Sequence, residues 1–206
     1  MRFLLILLPL LALFVLPQVA STRPTPSSVT PLPTPNPSSS PTPTPTLYPP
    51  VMELKERITK KNFGTYVTPQ NSPVTPEVFT GYHTALDIEF GDIEGDVPVH
   101  AITAGSVVYS GWVSGYGGLT IIKHSIDNRQ YNVVYGHLRT SDLLPVGTRV
   151  SPNQVIGYLG NGYSRDTDNE RKHLHFGIPK SQDLEFLGYV PNESDLSGWV
   201  NPLTWY

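Results

Sequence analysis

Four of the six histidines fall in three short contexts whose residue types and spacing can do chemistry. The first is His83-Thr84-Ala85-Leu86-Asp87. An offset of four places the two outer side chains on one face of a strand, and also on one face of a helical turn. Histidine and aspartate are both zinc ligands, although a surface hydrogen bond accounts for an isolated pair of this kind equally well. The second is His173-Leu174-His175, inside the run HLHFGI. Alternate strand positions point the same way, so the two imidazoles stand about 6.5–7 Å apart at their backbones. One can then bind a metal while the other reaches a water or substrate beside it. A solvent-exposed polar face is the competing reading. The third is His137, near the end of YNVVYGHL, where alternation puts Tyr131, Val133, Tyr135 and His137 on one face. Alone, it reads as a hydrogen-bonded structural residue.

The elements that must hold these side chains are short strands. ALDIEF, GSVVYSGW, LTIIKH, YNVVYGHL, QVIGYLG and HLHFGI are strand-like runs separated by turn residues. Nothing after residue 65 carries a long helical pattern. Ahead of the strands, VMELKERITKK (51–61) has apolar residues at 51, 54 and 58 and predicts one short amphipathic entry helix. The expected fold is all-β, an antiparallel sandwich-like or curled sheet.

Composition sets the boundaries of that module. Of 22 prolines in 206 residues, 11 lie between residues 21 and 50, together with thirteen Ser or Thr and a single charge, Arg23. Such a stretch cannot bury enough apolar surface to order itself, so residues 22–50 are expected to be a disordered, extended linker. Residues 1–21 carry one basic residue, a nearly continuous apolar run and then small residues. This is the layout of a signal peptide, and the run is also near the minimum for a membrane anchor. The protein is therefore expected to be exported, either secreted or tethered to the outer face of the cytoplasmic membrane or cell wall, with the hydrophobic segment as the means of attachment. Residues 51–206 remain as the folded module, long enough for one sizeable core. The absence of cysteine excludes disulfide frameworks, cysteine-ligated metals and thiol catalysis. All 17 acidic residues but only 12 of 14 basic ones follow residue 50, leaving the module at −5. That balance argues against nucleic acid as a partner.

In their order and separations, HTALD, YGHL and HLHF resemble the lysostaphin/LytM-type zinc metallopeptidase family of peptidoglycan endopeptidases. The intervening VPVHAITAGSVVYSGWVSGYGGLTIIKH resembles the family's core strands and Gly-Tyr-Gly turn, and VGTRVSPNQVIGYLGNG its glycine-bounded hairpin. The likeness runs from about Tyr82 to Ile178. It implies one zinc ion (Zn2+) held by His83, Asp87 and His175, with His137 and His173 as two non-ligating catalytic histidines, and a peptidoglycan peptide as substrate. Three protein ligands leave the fourth position that hydrolytic zinc sites need. With no HExxH motif present, acid–base work falls to the two remaining imidazoles. The alternative is a non-catalytic or latent wall-binding regulator of another cell-wall hydrolase, which retention of all five residues disfavours. Latency would require a side chain from residues 62–80, Asn71 for example, to block the metal.

The sequence departs from the resemblance in places. Ala85 stands where the family usually has Gly, which matters only if a positive φ is needed there. Gly177 stands where Glu is common. The segment YSRDTDNERK (163–172) is longer and more charged than the usual link and is expected to border the cleft. Tyr116, among Gly115, Gly117 and Gly118, is expected to line it. His124, in IIKHS, is expected to make a structural hydrogen bond, and His100 to be a partly exposed strand residue.

Overall fold

The computed structural model describes residues 47–206. The expected leader, and all of the expected linker before residue 47, lie outside the described residues. Eleven strands follow one another: β1 (Tyr66–Val67), β2 (Gly81–His83), β3 (Ala85–Glu89), β4 (Pro98–His100), β5 (Gly105–Val113), β6 (Gly117–Ile126), β7 (Arg129–Leu138), β8 (Arg149–Val150), β9 (Val155–Tyr158), β10 (His173–Gly177) and β11 (Tyr189–Val190). The six strands expected from the sequence are all present, as β3, β5, β6, β7, β9 and β10. The helical residues described form short 3-10 turns, so the protein is nearly all β.

The main sheet has six antiparallel strands in the order β3-β10-β7-β6-β5-β8. A three-stranded sheet, β1-β2-β11, and a two-stranded ribbon, β4-β9, complete the described architecture. Alternation sorts the strands of the main sheet onto two faces. Leu86 and Ile88 of β3, Leu174 and Phe176 of β10, Val133 and Tyr135 of β7 and Ile122 of β6 enter one buried cluster with Val99, Ile102, Ile156 and Leu159. Burial of each such side chain contributes about 1.5–3 kcal/mol. The opposite face has a smaller apolar patch, Tyr116, Leu119, Ile121 and Val134. Beside that patch the polar residues of β3 and β10 collect.

The segment 51–61 forms turns and no helix. Val51 and Leu54 are buried as their apolar spacing requires, but Glu53 has φ +50°, and a left-handed residue stops helical propagation. Residues before 51 also contact the module: the Tyr48 N–H donates to the Ile102 carbonyl, and the Tyr206 hydroxyl donates to the Tyr48 carbonyl.

Candidate metal centre

Three ligand atoms meet where β2, β3 and β10 come together. His83 Nε2 lies 3.2 Å from Asp87 Oδ1, His175 Nδ1 lies 3.1 Å from the same oxygen, and the two nitrogens are 3.3 Å apart. The triangle is nearly equilateral. A tetrahedral ion with zinc bonds of about 2.0–2.1 Å has ligand–ligand edges of about 3.3–3.4 Å. The three atoms therefore approximate one face of such a tetrahedron, and the donor set of two imidazoles and a carboxylate suits zinc. All three residues are buried.

Each ligand atom is aimed by its neighbours. In β10, alternation sends Leu174 and Phe176 into the core and leaves His173 and His175 on the other face. Register pairs His175 with Asp87 on one side and with Gly136 on the other. A Cβ at Gly136 would come within 2.7 Å of the Tyr116 ring, so glycine there lets Tyr116 pack edge-on against His175, with ring centroids 5.1 Å apart. His83 reaches Asp87 differently. Four residues along one continuous strand would separate them by about 13 Å. Instead the chain leaves the three-stranded sheet after His83 and enters the main sheet at Ala85. At the crossing, the Thr84 N–H donates to the Gly188 carbonyl and its hydroxyl donates to the Leu187 carbonyl. His83 Nδ1 donates to the Asn62 carbonyl at 3.2 Å, which leaves Nε2 as the free lone pair.

His137 corrects the expectation of simple alternation. Tyr131 packs against the main core and Val133 and Tyr135 lie within it, but His137 does not follow them. β7 carries a bulge: Gly136 pairs with Leu119 and Leu138 with Gly118, leaving His137 unpaired with φ +62°. The His137 N–H donates to the Tyr116 carbonyl, and its own carbonyl accepts from the Gly160 N–H. The bulge turns the imidazole to the face bearing His173, with ring centroids 4.2 Å apart. Holding a non-glycine residue there costs about 1–2 kcal/mol.

His173 Nδ1 donates to the Arg171 carbonyl at 2.9 Å, so its Nε2 is left as an acceptor, 3.5 Å from Asp87 Oδ2. Burial lowers the pKa of His173 and His175 and takes His137 down to about 3, so these rings are neutral near pH 7. His137 Nδ1 is buried with no hydrogen-bond partner. Burial acts to raise the pKa of Asp87. The facing His83 and His173 and the hydrogen bond with His175 outweigh burial and hold the carboxyl well below its usual range, hence ionised.

Asp87, His137, His173 and His175 form the floor of a cleft of about 320 Å³, walled by Tyr116, Phe186, Leu187 and Tyr189 and by Glu170 and Arg171, and His83 is fully buried beside Asp87. Tyr116 thus lines the cleft as expected. So does the end of the segment 163–172, which is tied down by Asp168 accepting from the Gly115 N–H at 2.7 Å and by Asp166 accepting from the Thr140 N–H. Gly117, at φ +63°, permits the close approach: a Cβ there would fall 2.0 Å from the Asp166 carbonyl oxygen. Asn71 is exposed and its side chain accepts from the Thr68 N–H, so it does not serve as the blocking group considered for it. His124 makes the expected structural contacts, and His100 is half-buried on β4 with its ring 3.0 Å from the Asn153 carbonyl. Ala85 lacks a positive φ and lies opposite Gly177, where a Cβ would come within 3.5 Å of its methyl group.

Two cations were not anticipated. Arg171 is nearly buried and faces three carboxylates: Asp87 Oδ2 at 2.6 Å, Glu89 at 2.8 Å and Glu170 at 3.4 Å. Its odd parity with His173 and His175 was the available signal. Lys61 pairs with buried Glu77 at 2.5 Å and donates to the Tyr189 hydroxyl at 2.9 Å. Nothing in the entry segment distinguishes it from its exposed neighbour Lys60. Carboxylates outnumber cations around Arg171.

Comparison with known proteins finds relatives at the level of sequence and of fold. The phage protein Endolysin 2638A, from Staphylococcus phage 2638A, is 33% identical over 120 residues, covering 57% of this chain and 23% of that protein. The uncharacterized lipoprotein YgeR of Escherichia coli K12 is 36% identical over 124 residues, covering 58% of this chain and 46% of that protein. The chain thus spans less than half the length of either relative. Among solved structures, a chain of the SpoIIIAH and SpoIIQ complex superposes with a TM-score of 0.51 at 26% identity, covering 78% of this chain and 99% of that one. The profile described as Peptidase family M23 matches residues 81–185, a span that holds His83, Asp87, His137, His173 and His175. The chain belongs to peptidase family M23.

Proposed function

We propose that this protein is an exported, zinc-dependent endopeptidase that hydrolyses peptide bonds in the cross-links or stem peptides of peptidoglycan. The observation that carries the reading is the triangle of His83 Nε2, Asp87 Oδ1 and His175 Nδ1, with sides of 3.1–3.3 Å, of which Asp87 and His175 line a cleft together with two more imidazoles, His137 and His173. Zinc bound by these three residues would activate water near neutral pH and polarise the scissile carbonyl. The protein's own groups supply the rest. His173 is neutral, with its Nδ1 proton engaged by the Arg171 carbonyl, so it receives a proton from the attacking water at Nε2. Asp87 Oδ2, 3.5 Å from that nitrogen, stabilises the imidazolium that results. His137, its ring tilted 41° against that of His173 at 4.2 Å, is the second imidazole able to hold or deliver a proton at the reacting atoms. Tyr116, Phe186 and Leu187 give the cleft an apolar wall opposite the charged Glu170 and Arg171, surfaces that can hold a peptide across the histidines.

The test is digestion of isolated wall by the purified protein with zinc supplied, read by mass spectrometry of the released fragments. New amino termini within stem or bridge peptides support the reading. Intact wall after prolonged digestion by zinc-loaded protein overturns it. A second reading, a module that binds the wall or a protein partner without cutting, draws on the likeness to a chain of the SpoIIIAH and SpoIIQ complex. Wall binding without released fragments is its signature.

A further inference from the structure

The two oxygens of Asp87 have different partners. Oδ1 belongs to the ligand triangle, whereas Oδ2 accepts from Arg171 Nη2 at 2.6 Å. Arg171 cannot easily leave that oxygen. Its Nε donates to both oxygens of Glu89, at 2.8 and 2.9 Å, and Glu89 lies two residues from Asp87 on the same strand. The planar fork therefore spans two carboxylates at once, a geometry that lysine, a single point charge, does not reproduce. The side chain is 7% exposed and Asp87 2%, so water does not screen the pair. Carboxylates bind divalent ions through one oxygen or both. An aspartate free to use both would occupy an extra coordination position.

We propose that Arg171 is a positioning residue that restricts Asp87 to a single metal-facing oxygen. It thereby keeps a coordination position open for water and weakens the hold on the ion. This rests on the metal-centre reading above and extends it to a residue in the segment 163–172. Arg171 acts through Asp87, so its effect is on metal binding first and on turnover second. A purely structural arginine would act in one direction only: its loss would loosen the site, and both zinc affinity and hydrolysis would fall. A restraining arginine separates the two. Without it, Asp87 Oδ2 turns to the ion and the repulsion between two cations disappears, so zinc binds more tightly while hydrolysis falls.

The experiment compares the parent protein with Arg171→Met in zinc titrations against a competing chelator, and in the visible spectrum after cobalt(II) is substituted for zinc. Four-coordinate cobalt absorbs strongly in the visible, and higher coordination weakens the bands. The expected result for folded Arg171→Met is zinc affinity raised, the reverse of the roughly 10–100-fold loss that follows removal of a group supporting a ligand, with weaker cobalt bands and reduced wall hydrolysis. Unchanged or lowered zinc affinity overturns the proposal. If Arg171→Met does not fold, as judged by circular dichroism, Arg171→Leu carries the same test, because it likewise offers Oδ2 neither a donor nor a charge. It too should bind zinc more tightly than the parent, and equal or weaker binding overturns the proposal. A parent protein that binds neither zinc nor cobalt overturns the metal centre itself and the role of Arg171 with it. A parent that binds metal beside unchanged variants overturns the role of Arg171 alone.

Discussion

Asp87 and His175 are direct register partners on β3 and β10, and Asp87 Oδ1 lies 3.1 Å from His175 Nδ1. Two main-sheet strands thus fix two of the three ligand atoms before any ion binds. His175→Ala should remove bound zinc and wall hydrolysis together, read as zinc per protein after dialysis and as released fragments. Chelation of the parent should leave the far-ultraviolet circular dichroism unchanged, because strand register sets Asp87 beside His175 and Arg171 pairs with the Asp87 carboxylate. Loss of strand signal on chelation would mean that the ion, and not the sheet, builds the site.

His137 and His173 lie beside the triangle and are not part of it, so their loss should spare the metal. His173→Ala and His137→Ala are each expected to retain zinc and lose about 10²–10⁴ in turnover. The bulge gives His137 a second signature. Because its φ is +62°, His137→Gly should be more stable than His137→Ala by about 1 kcal/mol while equally inactive. Urea unfolding of the two variants checks the difference.

Much of this site was legible in the sequence wherever alternation alone decides direction. HLHF carries two histidines to one face and Leu174 and Phe176 to the other, and β10 obeys that rule in every residue. Where the chain breaks the period, spacing misled. The four-residue gap from His83 to Asp87 works only because the chain changes sheets at Thr84. His137 faces the cleft only because a bulge overturns the parity that sends Tyr135 into the core. Sheet changes and bulges depend on contacts from distant segments, here Leu187, Gly188, Tyr116 and Gly160, which local periodicity does not encode. The buried cations were hidden for a related reason. Lys61 and Arg171 look like solvated charges in sequence, and only the long-range positions of Glu77, Asp87 and Glu89 draw them inward.

Lys61 and Glu77 form an ion pair of 2.5 Å with both side chains essentially buried. Burial pushes the Glu77 pKa up, but Lys61, the Ser72 hydroxyl and the Phe79 N–H outweigh it and bring it below the usual value. Removing one partner strands a charge. Lys61→Met should cost about 3–5 kcal/mol, whereas Lys61→Met with Glu77→Leu should cost much less. Urea denaturation of both variants measures the difference, and equal losses would show that a stranded Glu77 charge is not what makes the single variant costly.

His124 sits on the core side of the main sheet and makes the fold sensitive to acid. Its Nδ1 donates to the Ala104 carbonyl at 3.1 Å, and its Nε2 accepts from the Tyr135 hydroxyl, which itself accepts from the Ile102 N–H. The chain of donors closes only with a neutral imidazole. Burial accordingly lowers the His124 pKa from 6.5 to about 4. Between those values the unfolded chain binds a proton that the folded protein refuses, so stability rises with pH across the window and is lost as pH falls from about 6.5 toward 4. The full shift corresponds to a loss on the order of 3 kcal/mol. His137, His173 and His175 also have lowered pKa values, so the parent profile alone would not isolate this contribution. His124→Gln removes the titration and keeps a polar group for Tyr135. Urea unfolding at several pH values, with chelator present throughout, should show a shallower decline for His124→Gln than for the parent between pH 6.5 and 4. Parallel profiles would mean that His124 becomes protonated in the folded protein without disturbing Tyr135.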